Sequence, residues 1–402
     1  MAQRFLWTER TDFGPSPRIA FAMSYDSNLG QVVLFGGDSL ANGRLGDTWV
    51  WDGSFWTQME DIGPVARRDF GMVYDTAGQV TLLFGGSLAV AGQVLGDTWQ
   101  WDGTEWAQLS DSGPAPRSAH AMAFDSNRNR TVLFGGQSNA GTFLADTWEF
   151  DGQDWTQQQD TGPSARMWHS MAYDSASARV LLFGGAGADS QGLGDTWAWD
   201  GTSWVQIAEF GPPGRASGAM ATTGFSVVLF GGLSPSQQVF ADTWEFDGKH
   251  WTQRQDIGPG PRWFPAMAFD SVRNRVVLFG GLPIAAGDEA ALTAQLLGDT
   301  WEHEVPLAVA VASVQAPHVI NGGQPFTVTV NLTGPAPQGG ATVGLTASVL
   351  GESKPLPDLI VAAGSTTGSQ SVILQSLPID VNLTISAQIP GTPAATTTAL
   401  GQ

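Results

Sequence analysis

The sequence contains no cysteine. That excludes disulfides, zinc-thiolate centres and cysteine nucleophiles. It also lacks any apolar run long enough to span a bilayer, and its opening Met1-Ala2-Gln3-Arg4 has none of the apolar character of a secretory signal. Basic residues are scarce. Eighteen Lys and Arg stand against 38 Asp and Glu, a net charge of −20, so nucleic acid is not expected as a partner because its phosphates would be repelled. Tyrosine occurs three times, at Tyr25, Tyr74 and Tyr173. With 402 residues and 42% hydrophobic content, the chain can nevertheless bury a large core and hold about two or three domains.

What is abundant is repetition. Gly14-Pro15-Ser16-Pro17-Arg18 is followed by Met23-Ser24-Tyr25-Asp26, then Val33-Leu34-Phe35-Gly36-Gly37, then Asp47-Thr48-Trp49-Val50-Trp51-Asp52-Gly53 and Trp56-Thr57-Gln58. The same order returns five more times, with the glycine before proline at Gly14, Gly63, Gly113, Gly162, Gly211 and Gly258, steps of 49, 50, 49, 49 and 47 residues. Each unit reads as four antiparallel strands. The alternation around Met23 and Tyr25 predicts the first, and a turn begins at Asp26. The apolar run Val33 to Phe35 predicts a strand buried on both faces that ends in a bend at the double glycine. Trp49 and Trp51 alternate on the third, and Asp52-Gly53 predicts the hairpin into the strand holding Trp56.

A period near fifty with a double glycine and a following tryptophan resembles the kelch repeat, over roughly residues 5 to 303. The resemblance implies an all-β propeller with six blades in residues 1–304. The sixth unit stops at Trp301-Glu302-His303-Glu304 without its last tryptophan, and Phe5-Leu6-Trp7-Thr8 matches the missing part. The N-terminal strand is therefore expected to be the outer strand that closes blade six. In the fifth unit Thr222-Thr223-Gly224 replaces the Tyr-Asp turn.

After Glu304 tryptophan disappears and Val, Thr, Ala and Gly take over. Alternation in 326–332, 341–349, 370–374 and 381–387 predicts a small sandwich in 305–402 that resembles bacterial immunoglobulin-like modules, with a flexible tail from Pro390 to Gln402.

The double-glycine loops and the Gly-Pro-x-x-Arg segments should share one face, which in kelch propellers is the mouth that binds ligands. Arg18, Arg117, Arg166 and Arg262, with their equivalents Arg67 and Arg215, would ring it. They are either carboxylate-gripping ligand residues or partners of the repeat aspartates. Subtracting the repeat is sharper. Of 17 tryptophans only Trp168 and Trp263 fall outside repeat positions, and both lie just after a repeat arginine. The three positions after that arginine are where the units differ most, and they contribute Arg68, Asp69, Phe70, Trp168, Trp263 and Phe264 as candidate ligand-binding residues, suited to a saccharide, another small molecule or a peptide. The alternative is that the aromatics fill the channel. His120 and His169 are the candidate catalytic acid/base residues; with Asp69 they could also hold a metal, although histidine here equally suits packing between blades. The loop Leu282 to Gly298, with Asp288-Glu289, could act as a lid over the mouth or contact the C-terminal domain.

The architecture is similar to galactose oxidase, but that copper chemistry needs a cysteine-linked tyrosine and is excluded. The sialidase signature is absent too. The favoured reading is a bacterial, extracellular or envelope-located ligand-binding or protein-interaction module, monomeric, without cofactor or metal, and cytoplasmic as the other location. A histidine-dependent lyase, cyclase or hydrolase is the alternative, and a structural scaffold the third.

Overall fold

The computed structural model describes the chain apart from residues 1–4, 11–12, 60–61, 91–92, 111, 159–160, 189–191, 209–210, 255, 284–295, 306–310, 334–340, 351, 363–364, 375–380, 390–393 and 402. The loop singled out as a lid, with Asp288-Glu289, falls mostly in 284–295 and so lies outside the described residues. Among the described residues the regular structure is entirely strand. The chain divides into two compact parts, Arg4–Val305 and Pro306–Gln402.

In the first repeat, Ala22–Asp26, Gln31–Ser39, Gly43–Trp51 and Trp56–Gln58 pair in sequence order as an antiparallel sheet. The turns form for local reasons. One Asp26 carboxylate oxygen accepts the amides of Asn28 and Leu29, each at 2.9 Å. Asp52 does the same for Ser54 and Phe55, with Gly53 at φ 92°. Val32 to Phe35 are wholly buried, as a strand covered on both faces must be.

The double glycine differs from expectation. Gln31–Ser39 does not end there but runs on through it, with a register shift between Phe35 and Gly37. The glycines are needed because a side chain on Gly37 would lie 2.6 Å from the Ile19 carbonyl oxygen. The bulge re-aims the strand so that Gly37 donates its amide to Arg67 of the next unit. In the fourth and fifth units the corresponding strands, Arg179–Phe183 and Val227–Phe230, do stop before the glycines.

In the last unit the outer position is taken by Phe5–Arg10, antiparallel to Leu297–Glu304 with Trp7 opposite His303. Trp7 donates to Thr243 of the preceding unit, the bond that Trp56 makes to Thr300 and Trp106 to Thr48. First strands of successive units lie side by side, and Ala22–Asp26 touches both Gly71–Asp75 and Ala266–Asp270. Apolar side chains fill the space between neighbouring sheets: Val33 and Phe35 of one pack with Phe70, Met72 and Leu83 of the next.

The second part consists of a three-stranded sheet (Val311–Gln315, Pro325–Leu332, Thr367–Ile373) and a five-stranded sheet in the order Val319–Ile320, Ala395–Gly401, Val381–Gln388, Ala341–Val349, Glu352–Val361. Their inner faces share a core of Val328, Val330, Val343, Leu383 and Ile385. One strand was not foreseen and one expectation changes. Glu352–Val361 is a strand despite Pro355 and Pro357, which is possible because it is the sheet edge. The tail expected to be flexible instead supplies Ala395–Gly401, an inner strand, its threonines suited to a pleated surface and Ala399 buried.

Candidate functional site

The repeat arginines come first because they set the frame. Arg18 forks onto both oxygens of Asp47 at 2.8 Å, donates to the Gly36 carbonyl and bonds Ser16, so its donors are committed within the protein. Arg67, Arg117, Arg166, Arg215 and Arg262 repeat this with Asp97, Asp146, Asp195, Asp242 and Asp299. All six are at most 2% exposed. Burial works against the charge of each aspartate. The guanidinium hydrogen bonds and charge, joined by the indole N–H two residues on, prevail and hold the carboxyls below their usual range. This corrects the assignment of Arg18, Arg117, Arg166 and Arg262 to the ligand: they pin one strand segment to another and present nothing to a visitor.

The residue two places after each arginine behaves differently. Ala20, Asp69, Ala119, Trp168, Ser217 and Phe264 all sit in the left-handed region, at φ 54° to 58°. None is glycine, so each costs roughly 1 kcal/mol or more of backbone strain, most notably the bulky Trp168 and Phe264. Asp69 donates its amide to the Ala20 carbonyl, Ala119 to Asp69, Trp168 to Ala119, Ser217 to Trp168 and Phe264 to Ser217, each at 2.7 to 2.9 Å. The strained residues are thus linked hand to hand across successive units. Together with the residues that follow them they line a cavity of about 150 Å³.

Of the sequence candidates, the structure brings Asp69, Phe70, Trp168, Phe264, His120 and His169 to this cavity. The Trp168 indole N–H reaches Asp69 at 3.2 Å, and Trp168 meets Phe264 edge to face at 5.6 Å. Burial raises the Asp69 pKa, outweighing the Arg68 charge and the Trp168 hydrogen bond that favour the anion. Arg68 stands outside the lining, 42% exposed, between Asp38 at 2.8 Å and Asp69 at 3.2 Å. Trp263 is likewise outside, with its ring against Phe264 at 4.7 Å. Sequence reading missed Ala20, Ala119 and Ser217. Their register was available, but small side chains draw no attention until the backbone is seen to turn them inward. The Ser217 hydroxyl is buried without a hydrogen-bond partner.

The histidines lie one residue further on. His120 packs edge to face on Phe84 and His169 on Phe134, each at 5.6 Å, just as Phe70 does on Phe35 and Phe21 on Phe279. His120 accepts the Gly71 amide at 3.1 Å through Nε2. Burial, aided by the Arg117 charge, pushes its pKa down to about 3; burial, then Arg166, lowers His169 well below the usual histidine range. Both pack where other units place a phenylalanine, and burial disfavours the charged form that acid/base work would require of them. Among the described residues no group of three His, Asp or Glu could hold a metal ion, so Asp69 does not join them in a site.

Comparison with known proteins agrees with this geometry. The KLHDC2/KLHL20/DRC7 Kelch-repeats domain matches residues 76–281. A solved structure titled "Structure of YjhT" is 14% identical, and the match covers 71% of this chain and 95% of that one with a TM-score of 0.55, a likeness of fold. No curated protein sequence matches the chain.

Proposed function

The chain belongs to the kelch-repeat propellers, and on that footing we propose that it is a ligand-binding module whose site is the cavity at the convergence of the inter-unit segments. The fuller architecture we propose is a ring of six blades, latched by the N-terminal strand and followed by an immunoglobulin-like sandwich, in an envelope or extracellular setting. The contact of first strands from unit to unit and back to the first supports the ring. Two facing sheets with a shared core support the sandwich.

One observation carries the binding reading. The positions that converge on the cavity are the strained ones, and they are where the otherwise regular repeat varies: Ala, Asp, Ala, Trp, Ser, Phe. A purely structural ring would be served by six identical small residues or glycine. A single asymmetric ligand needs a different side chain from each unit. Aromatic faces beside a carboxylate and a free hydroxyl suit a small molecule or one side chain of a peptide. Burial disfavours protonation of both histidines, which weighs against the acid/base alternative.

A thermal-shift screen tests this on the wild type beside Trp168→Ala and Ser217→Ala. A ligand at 100 times its Kd adds about 2.7 kcal/mol to the native state. The midpoint should rise in the wild type and less or not at all in the variants. A shift of equal size in all three would place the ligand elsewhere.

A further inference from the structure

The charge content of the cavity lining selects among ligands. No arginine or lysine lines it, Asp69 is its one carboxyl group, and burial disfavours the charged form of both histidines. The six repeat arginines are spent on aspartates, and Arg68 approaches Asp69 from outside while its Nη1 serves Asp38. An anion would therefore meet the Asp69 carboxyl with no cation inside the cavity to receive it, the Arg68 guanidinium reaching Asp69 only from outside the lining. Besides the histidine rings, the lining offers the Ser217 hydroxyl, 7% exposed, with no hydrogen-bond partner. Trp168 and Phe264 close the same space with their rings. A carboxylate, an unused hydroxyl and aromatic faces are the groups that together hold an ammonium, through charge, hydrogen bonding and attraction to the ring faces.

Size limits the rest of the ligand. A cavity near 150 Å³ is comparable to an engineered apolar cavity of about 150 Å³ that takes up benzene. The net charge of −20 draws cations toward the protein and repels anions. Resting on the reading of this cavity as the binding site, we propose that it takes a small primary ammonium on an apolar body of about five or six carbons, the ammonium between Asp69 and Ser217 and the carbons against Trp168 and Phe264. The ammonium would add a charge on the cavity side of Asp69 to the one Arg68 supplies from outside, and would favour the carboxylate form that burial disfavours.

Titration of the full chain with cyclopentylammonium and with cyclopentanol near neutral pH, in the wild type, Asp69→Asn and Ser217→Ala, decides the matter. The ammonium should bind the wild type about tenfold or more tightly than the alcohol, as one charged hydrogen bond implies. Asp69→Asn should abolish the preference, and Ser217→Ala should weaken the ammonium several-fold. Ser217→Ala keeps the test open if Asp69→Asn does not fold. If the alcohol binds the wild type as well as the ammonium does, the cation is wrong and the cavity stands as a site. A preference that survives both substitutions means binding at surface acids and overturns the proposal. If neither compound binds, the cavity reading falls with it.

Discussion

His169 shows how one residue type can carry two meanings. In sequence it pairs with His120 as a candidate acid/base; in the fold it fills a phenylalanine's place, with Phe21 and Phe70 at the same position in other units making the same edge-to-face contact. That signal was legible, because the aligned repeats already interchange Phe and His there. Neither ring nitrogen of His169 has a hydrogen-bond partner, so His169→Phe should fold and remove a cost. The sign with pH is fixed by linkage. A histidine with a lowered native pKa binds its proton mainly in the unfolded chain, so the wild type loses stability as pH falls below the unfolded value near 6.5. Urea midpoints near pH 7.5 and pH 5 should diverge, with His169→Phe keeping up to about 2 kcal/mol more than the wild type at the lower pH. Equal losses in the two proteins would mean that His169 is not the buried neutral group described.

At the scale of elements, neighbouring sheets are stitched by a tryptophan on one and a glutamate on the sheet before it. Trp51 donates to Glu302 at 3.2 Å and Trp199 to Glu149 at 2.8 Å. The third and fifth units carry Phe150 and Phe246 instead, after Gln100 and Ala198. Trp101 breaks the pattern: the preceding unit offers Val50, and the buried indole N–H has no partner. Trp101→Phe should therefore cost about 1–2 kcal/mol less than Trp199→Phe in denaturant unfolding, because only the second loses a bond. The reverse order would show that Trp101 is served by a water. The N-terminal strand yields a larger effect. Trp7 is buried against Phe230 and His303, so Trp7→Ala should cost about 3–5 kcal/mol. That strand was legible as a surplus tryptophan matching a missing one. The continuation through Gly36-Gly37 was not, since a bulge depends on the neighbouring segment it packs against, and the Pro355/Pro357 strand was hidden by a rule that edge position relaxes.

For the molecule as a whole, periodicity made the sheets legible, whereas the site was only half so. Asp69, Trp168 and Phe264 stood out as departures from the repeat, but which groups face the cavity emerges only when residues some fifty positions apart are brought together. The arginines needed only their own unit, since each pairs with the aspartate of the same repeat and none is left free. Six such pairs set the response to acid. Each aspartate has a lowered native pKa, so its contribution is complete above the unfolded value near 3.8 and is lost as pH falls through the lower native value. Between pH 6.5 and 4 the decline should be owed to the histidines, about 1.4 kcal/mol per pH unit for each; below about 3.8 it should steepen as the six pairs discharge. Asp195→Asn separates the two regimes. At neutral pH it leaves Arg166 buried without its counter-charge and should cost about 3–5 kcal/mol. As pH falls below about 3.8 the unfolded wild-type chain takes up a proton at Asp195 that the native ion pair resists, and the difference between the two proteins should shrink. Guanidinium midpoints measured for both from pH 7 to 3 would show the curves converging, and parallel curves would mean that the pair contributes through shape and hydrogen bonds while its charge contributes nothing.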